Sequence, residues 1–241
     1  NRIISAGTQE ALAAPVSSFD AGHALPVNTT AGDFWLVLGR TGVEVYDGTT
    51  FTDITSAAGY AGISANGELN WTSCLLGAIP IINNPQHSPE YWSPQQTAQI
   101  MQPLLFDSGN TWAAKGYAFD VIRSHKNFLF ALSLTEGASE FPSAYRWSHP
   151  ADINGLPFTW DETDTSGLAG KAQLGGDSGR LIDGKSLRDS FAMYSQNGVN
   201  LLDYTGDEFV WKRRELSSSF GIIGQNCIAE IKGTHFFLSD G

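Results

Sequence analysis

The sequence predicts an all-β fold built from repeated antiparallel hairpins, and three observations predict it. Short apolar runs alternate with Gly, Asn or Asp turns along the whole chain, and an aromatic residue closes most units. Charged residues make up only 16% of the 241, while glycine is used 26 times and aromatics reach 12%. That composition fits many short strands joined by tight turns, and it lacks the Glu, Lys, Leu and Ala that a helical bundle needs. No ordinary-length helix is expected. Hairpin units recurring every ~40 to 50 residues mark radial β repeats, and the expected architecture is β-propeller-like, with about 4–6 blades.

Each element has its own signal. Residues 1–33 read as an extended lead-in, with one helical turn at Gln9–Ala14 before Pro15 stops it. The repeat domain runs over 34–241. The first unit, Phe34–Ile54, has arms FWLVL and VEVY, and Asp47-Gly48 supplies a left-handed position to a second turn. Ala57–Asn70 is a small-residue loop. Trp71–Trp92 is the second unit; its apolar part breaks at Asn83-Asn84-Pro85, and Pro85–Ala98 is polar and Pro-containing, with Tyr91-Trp92 inside it. After the excursion Asp107–Tyr117 come the strand Phe119–His125, a Lys126-Asn127 turn and the strand Phe128–Leu134, which opens the third unit, Asn127–Trp147. Thr135–Gly179 is the least regular stretch. Ser190–Tyr204 is a hairpin turning at Gln196-Asn197-Gly198, where Asn-Gly demands positive φ, and Thr205-Gly206 leads into Phe209–Leu216. A fifth unit opens at Asn226 and the sequence ends inside it, as expected of a segment of a longer protein; Asn1 in place of Met points the same way. Imperfect alternation is expected where strands are buried on both faces.

Charge and cysteine content exclude some functions. A net charge of -11 opposes sequence-independent binding to nucleic acid, which needs clustered Lys and Arg on the phosphates. It also disfavours an anionic membrane surface, and no apolar run is long enough for a membrane span. An acidic wall does let DNA slide past without binding. Cys74 and Cys227 lie apart in apolar strands and read as small hydrophobes, with no metal-ligand spacing.

The residues that carry chemistry in other proteins have plain alternatives here. Asp161, Glu162 and Asp164 cluster after Trp160, and Asp203, Asp207 and Glu208 around Tyr204. Paired carboxylates serve glycoside hydrolysis, but both groups lie in polar turns. His23, His87, His125, His149 and His235 show no HxH or HxxxH spacing. Gly175–Arg180, GGDSGR, is similar to the string around a serine-protease nucleophile, yet Ser178 lacks the accompanying base string and cysteine framework. Trp71, Trp92, Trp147, Trp160 and Trp211 serve either as a sugar-stacking platform or, more simply, as packing between blades. Lys212-Arg213-Arg214 is a short basic run at a strand end. Catalytic, metal and cofactor residues are therefore expected to be none.

The string Tyr145–Trp160, YRWSHPADINGLPFTW, contains in Ser148–Trp160 a near miss for the sialidase Asp-box, with Asn154 set directly before Gly155. It resembles a segment of large structural proteins of tailed bacteriophages, in which an arginine-aromatic-serine run precedes an Asp turn and a Trp inside a propeller-like domain. Tyr145, Arg146, Trp147 and Ser148, with Asp152 and Trp160, carry the match; VEVYDGTTF and THFFLSDG resemble the repeat strands in style. The resemblance implies a non-enzymatic virion tail component of nozzle or tail-tube type. Such a subunit would form a homo-oligomeric ring with other tail or head-to-tail connector proteins. DNA would pass through without specific binding, and the subunit would be made in the host cytoplasm. The competing expectation is a carbohydrate-binding or carbohydrate-cleaving propeller for host-surface recognition.

Overall fold

The computed structural model describes residues 18–19, 21–30, 32–60, 63, 69–94, 99–152, 155–206 and 209–239. The helical turn expected at Gln9–Ala14 lies outside them. Among the described residues the regular structure is strand, apart from one 3-10 turn at Gly176–Ser178. The first sheet holds β1 (Ala21–Thr29), β2 (Gly32–Gly39), β3 (Val43–Tyr46) and β4 (Phe51–Asp53). The second holds β5 (Thr72–Leu76), β6 (Ile79–Asn84), β7 (His87–Tyr91) and β8 (Gln102–Pro103). A small hairpin, β9 (Leu105–Asp107) with β10 (Asn110–Thr111), precedes the third sheet. That sheet holds β11 (Tyr117–His125), β12 (Phe128–Glu136), β13 (Ser139–Trp147) and β14 (Gly170–Gln173). The fourth holds β15 (Leu181–Leu187), β16 (Ser190–Ser195), β17 (Val199–Tyr204) and β18 (Trp211–Ser217), and a last hairpin pairs β19 (Ile228–Ile231) with β20 (Thr234–Phe237). Every four-stranded sheet is an antiparallel meander in chain order.

Tight turns explain the meanders. Gly48 sits at φ 96°, and the Asp47 carboxylate accepts the Thr49 and Thr50 amides, each at 2.8 Å, so this turn forms as the sequence predicts. The turns between first and second strands of the last three units share a device the sequence reading missed. Lys126, Arg188 and Lys232 each take a left-handed conformation (φ 53°, 55° and 53°) at the start of a two-residue turn.

The sheets pack face to face in chain order, with one apolar core between each neighbouring pair. Val27, Leu36 and Leu38 meet Ile82 and Trp92 between sheets one and two. Cys74, Leu76 and Ile81 meet Phe119, Ile122, Leu129 and Ala131 between two and three. Phe130, Leu132 and Tyr145 meet Leu181, Phe191 and Met193 between three and four. Ala192, Tyr194 and Leu201 meet Ile222 and Ile228 at the last hairpin. Period-two alternation divides the central strands between two cores: in β16, Phe191 and Met193 face one and Ala192 and Tyr194 the other. In β12 a bulge at Ser133 (φ 60°) resets the alternation, so Leu134 rejoins the face of Leu129 and Ala131.

Three sequence expectations need correction. Residues 21–29 are extended as the lead-in required, but as an integral strand of the first sheet, so the first unit starts at β1 and not at 34. The unit Asn127–Trp147 forms its expected hairpin as β12 and β13, but the irregular stretch after it supplies a further strand, β14. Neither Asn197 nor Gly198 has positive φ. Their turn is held from the side instead: Gln196 N donates to Arg180 O and Asn197 N to Ser178 O, at 2.9 and 3.2 Å. Glycine is still required, because a Cβ on Gly198 would stand 2.7 Å from the Ser217 carbonyl oxygen. Gly198→Val is therefore expected to cost roughly 1–3 kcal/mol in urea unfolding through overpacking, not backbone strain. A neutral variant would show that the Ser217 backbone yields.

Candidate functional site

One feature draws on all five units. The first strands of the sheets lie beside one another, β5 against β1 and β11, and β11 against β15. Polar side chains link them in a belt. His23 Nε2 meets Ser73 Oγ at 2.7 Å, and Arg123 Nη1 donates to Ser73 O at 3.1 Å. Arg123 grips Asp183 with two parallel bonds, Nε to Oδ1 at 2.8 Å and Nη2 to Oδ2 at 3.0 Å. Asn226, leading into β19, donates its amide to Asp183 at 2.7 Å and accepts from Arg123 Nη2 at 2.8 Å. Its Nδ2 then reaches back to Trp71 O of the second unit at 3.3 Å. Asp183 is only 1% exposed, so this charge is buried but fully paired. Burial, and then the Arg123 charge, hold the His23 pKa below its usual value.

Cavities flank the belt. One of about 720 Å³ is lined by Asn84, Asp120, Arg180 and Asn226; the other, about 460 Å³, by Leu75, Ser124, Lys185 and Asn226. The belt bridges the space between them with direct hydrogen bonds. Further polar groups stitch neighbouring sheets: Asn83 Nδ2 donates to Phe119 O at 2.9 Å, and Ser124 Oγ to Leu75 O at 2.7 Å.

Apart from His23, which belongs to the belt, the residues nominated by sequence fall elsewhere, and folding interactions occupy most of them. Asp161 accepts the Thr163 amide at 2.9 Å and Asp164 the Ser166 amide at 3.0 Å, so each caps its own turn. These bonds, Thr163 foremost, keep the Asp161 pKa low. Glu162 pairs with Arg146. Asp203 binds Ser190 and Arg214; Asp207 and Glu208 lie outside the described residues. Ser178 ends the 3-10 turn, and each histidine is bonded elsewhere. His23 meets Ser73 and His87 meets Glu90. His125 bonds Ser186 and Asp189 O, and burial lowers its pKa. His149 Nδ1 accepts the Leu168 amide at 3.0 Å; its pKa too is lowered, by burial against the pull of Asp164 and Asp152. His235 bonds Tyr194 and Ser186 O. Among the described residues no three His, Cys, Asp or Glu side chains gather as a metal site. Cys74 is buried and its thiol is pushed up to about 12 by desolvation, with Arg123 pulling the other way. Lys212 and Arg213 are exposed on β18.

The tryptophans pack. Trp71, Trp92 and Trp160 are at most 1% exposed, Trp211 is buried, and Trp147 lies over Gly170 with Nε1 bonded to Leu168 O at 2.8 Å. In the string Tyr145–Trp160, Arg146 is the hub. Its guanidinium binds Trp160 O at 2.9 Å, Glu136 at 2.9 Å and Glu162, and lies over the Phe106 ring. Trp160 N donates to Phe106 O at 2.7 Å, tying the third sheet to the β9–β10 hairpin.

No family model matches the chain, and no curated protein matches it. No described helix is long and apolar enough to cross a membrane.

Sequence reasoning missed Ser73, Arg123, Asp183 and Asn226. The signal was positional: Ser73 lies 50 residues after His23, Arg123 50 after Ser73, and Asp183 60 after Arg123.

Proposed function

We propose that this chain is a non-enzymatic structural module of a tailed-phage virion, of nozzle or tail-tube type, whose sheets are the blades of a propeller-like unit. The observation that carries its scaffold character is the belt. One polar residue from each unit is spent on holding the others, and none is left poised for turnover. The phage reading rests on the resemblance over Tyr145–Trp160; within that string Arg146 is a buried fastener, which supports a folding role for it and not a catalytic one. Because hydrogen bonds bridge the inner strands, a DNA path lies outside this axis, between subunits of a homo-oligomeric ring and its connector partners. The acidic balance suits a wall that DNA passes without binding. The glycan-platform reading loses most of its support, since Trp71, Trp92, Trp160 and Trp211 are buried and Trp147 is half-buried over Gly170.

Purified protein should leave protein and glycan substrates at background hydrolysis. Ser178→Ala should change stability by about 0.5 kcal/mol or less, while Asp161→Ala and His149→Ala, which each lose a turn hydrogen bond, should cost about 0.5–1.5 kcal/mol. Hydrolysis that any of these substitutions abolishes would make the chain an enzyme.

A further inference from the structure

A third cavity, of about 650 Å³, lies away from the belt, beside the second sheet. Its wall is largely apolar, from Ala57, Ala58, Ile100, Met101, Pro103 and Ala113, and its polar groups include His87 and Glu90. The volume and lining are those of small-molecule sites. Glu90 is 3% exposed although it is a carboxylate, and two neighbours hold it there. Tyr60 Oη donates to Oε2 at 2.7 Å, and His87 Nε2 meets Oε1 at 3.1 Å. The Tyr60 ring stands edge-on to His87 at 4.7 Å and edge-on to Trp71 at 5.4 Å, which fixes the group on the first core.

This arrangement sets the imidazole. An ionised carboxylate only accepts, so His87 Nε2 carries the proton, and in the neutral ring Nδ1 is an acceptor. No described residue bonds that Nδ1. Both oxygens of Glu90 are engaged by donors, and its negative charge repels an anionic ligand.

We propose that this cavity binds a small, flat, neutral aromatic molecule bearing one O–H or N–H donor, a phenol or an indole, whose donor bonds His87 Nδ1. The site does not depend on the scaffold reading and stands or falls separately from it.

Titration calorimetry and saturation-transfer NMR with phenol, indole, toluene and benzoate test it on the whole chain. Phenol or indole should bind saturably, toluene at least tenfold more weakly, and benzoate not at all. His87→Phe keeps the ring packing on Tyr60 and removes the acceptor; donor-ligand affinity should fall roughly tenfold, the effect of one lost hydrogen bond, with toluene unchanged. Should that variant fail to fold, Ala113→Trp, at an exposed rim position, should block binding of every probe. Absence of saturable binding by phenol and indole, equal affinity for toluene, or donor-ligand affinity unaffected by either substitution would overturn the proposal.

Discussion

Arg146→Ala should destabilise the protein by about 3–5 kcal/mol, the range for breaking a buried ion pair from one side. Arg146 is 1% exposed and sits among Glu136, Glu162 and the Trp160 carbonyl. Removing it leaves the Trp160 oxygen without its donor and Glu136 with Lys171 alone, at 2.6 Å. Burial would raise the Glu136 pKa, but the Lys171 and Arg146 charges outweigh it and hold it low. Part of the loss is packing, because the guanidinium also covers Phe106 and Tyr117. Urea unfolding reads the effect as a lower midpoint at unchanged slope. Arg146→Lys should recover only part, since an ammonium cannot fork between carboxylate and carbonyl as a guanidinium does. A loss below about 0.5 kcal/mol, the surface-residue level, would mean that Arg146 is not a structural hub.

Asp183→Ala is the second large effect, again about 3–5 kcal/mol by the same mechanism. The Arg123 guanidinium loses its counter-ion, and the Asn226 amide loses its acceptor. The damage should be directional. Asn226 leads the last hairpin onto the fourth sheet, so amides of β19 and β20 should exchange hydrogen faster than those of β12, whose apolar residues remain packed on both faces. Asp183→Asn, which keeps the shape and one acceptor, should cost less. Equal acceleration across all sheets would show that the belt does not fasten that hairpin.

The fold was legible where strands are apolar and turns are tight. FWLVL, FLFALSL and SFAMYS announce strands, and all three form; the last two are buried on both faces, whereas β2 turns Trp35 outward, 50% exposed. β7 was hidden because it reads His-Ser-Pro-Glu-Tyr, and its two ionisable residues satisfy one another only after folding. The Asn197-Gly198 turn misled because its amides are held by Ser178 and Arg180, a tertiary contact that overrides the usual hairpin geometry. The belt was harder still. His, Ser, Arg, Asp and Asn share no chemistry that a motif search would group, and only their spacing and their position on inner strands relate them. The turns at Lys126, Arg188 and Lys232 were a legible repeat, since each puts a basic residue at the same point of its unit.

Immunogold electron microscopy of particles purified from the source lysate, with antibody raised against this chain, tests the scaffold reading most directly. A structural tail subunit places gold at one end of the particle, with the protein present in every virion. Particles that carry no gold, while the protein stays wholly in the soluble fraction, would contradict it.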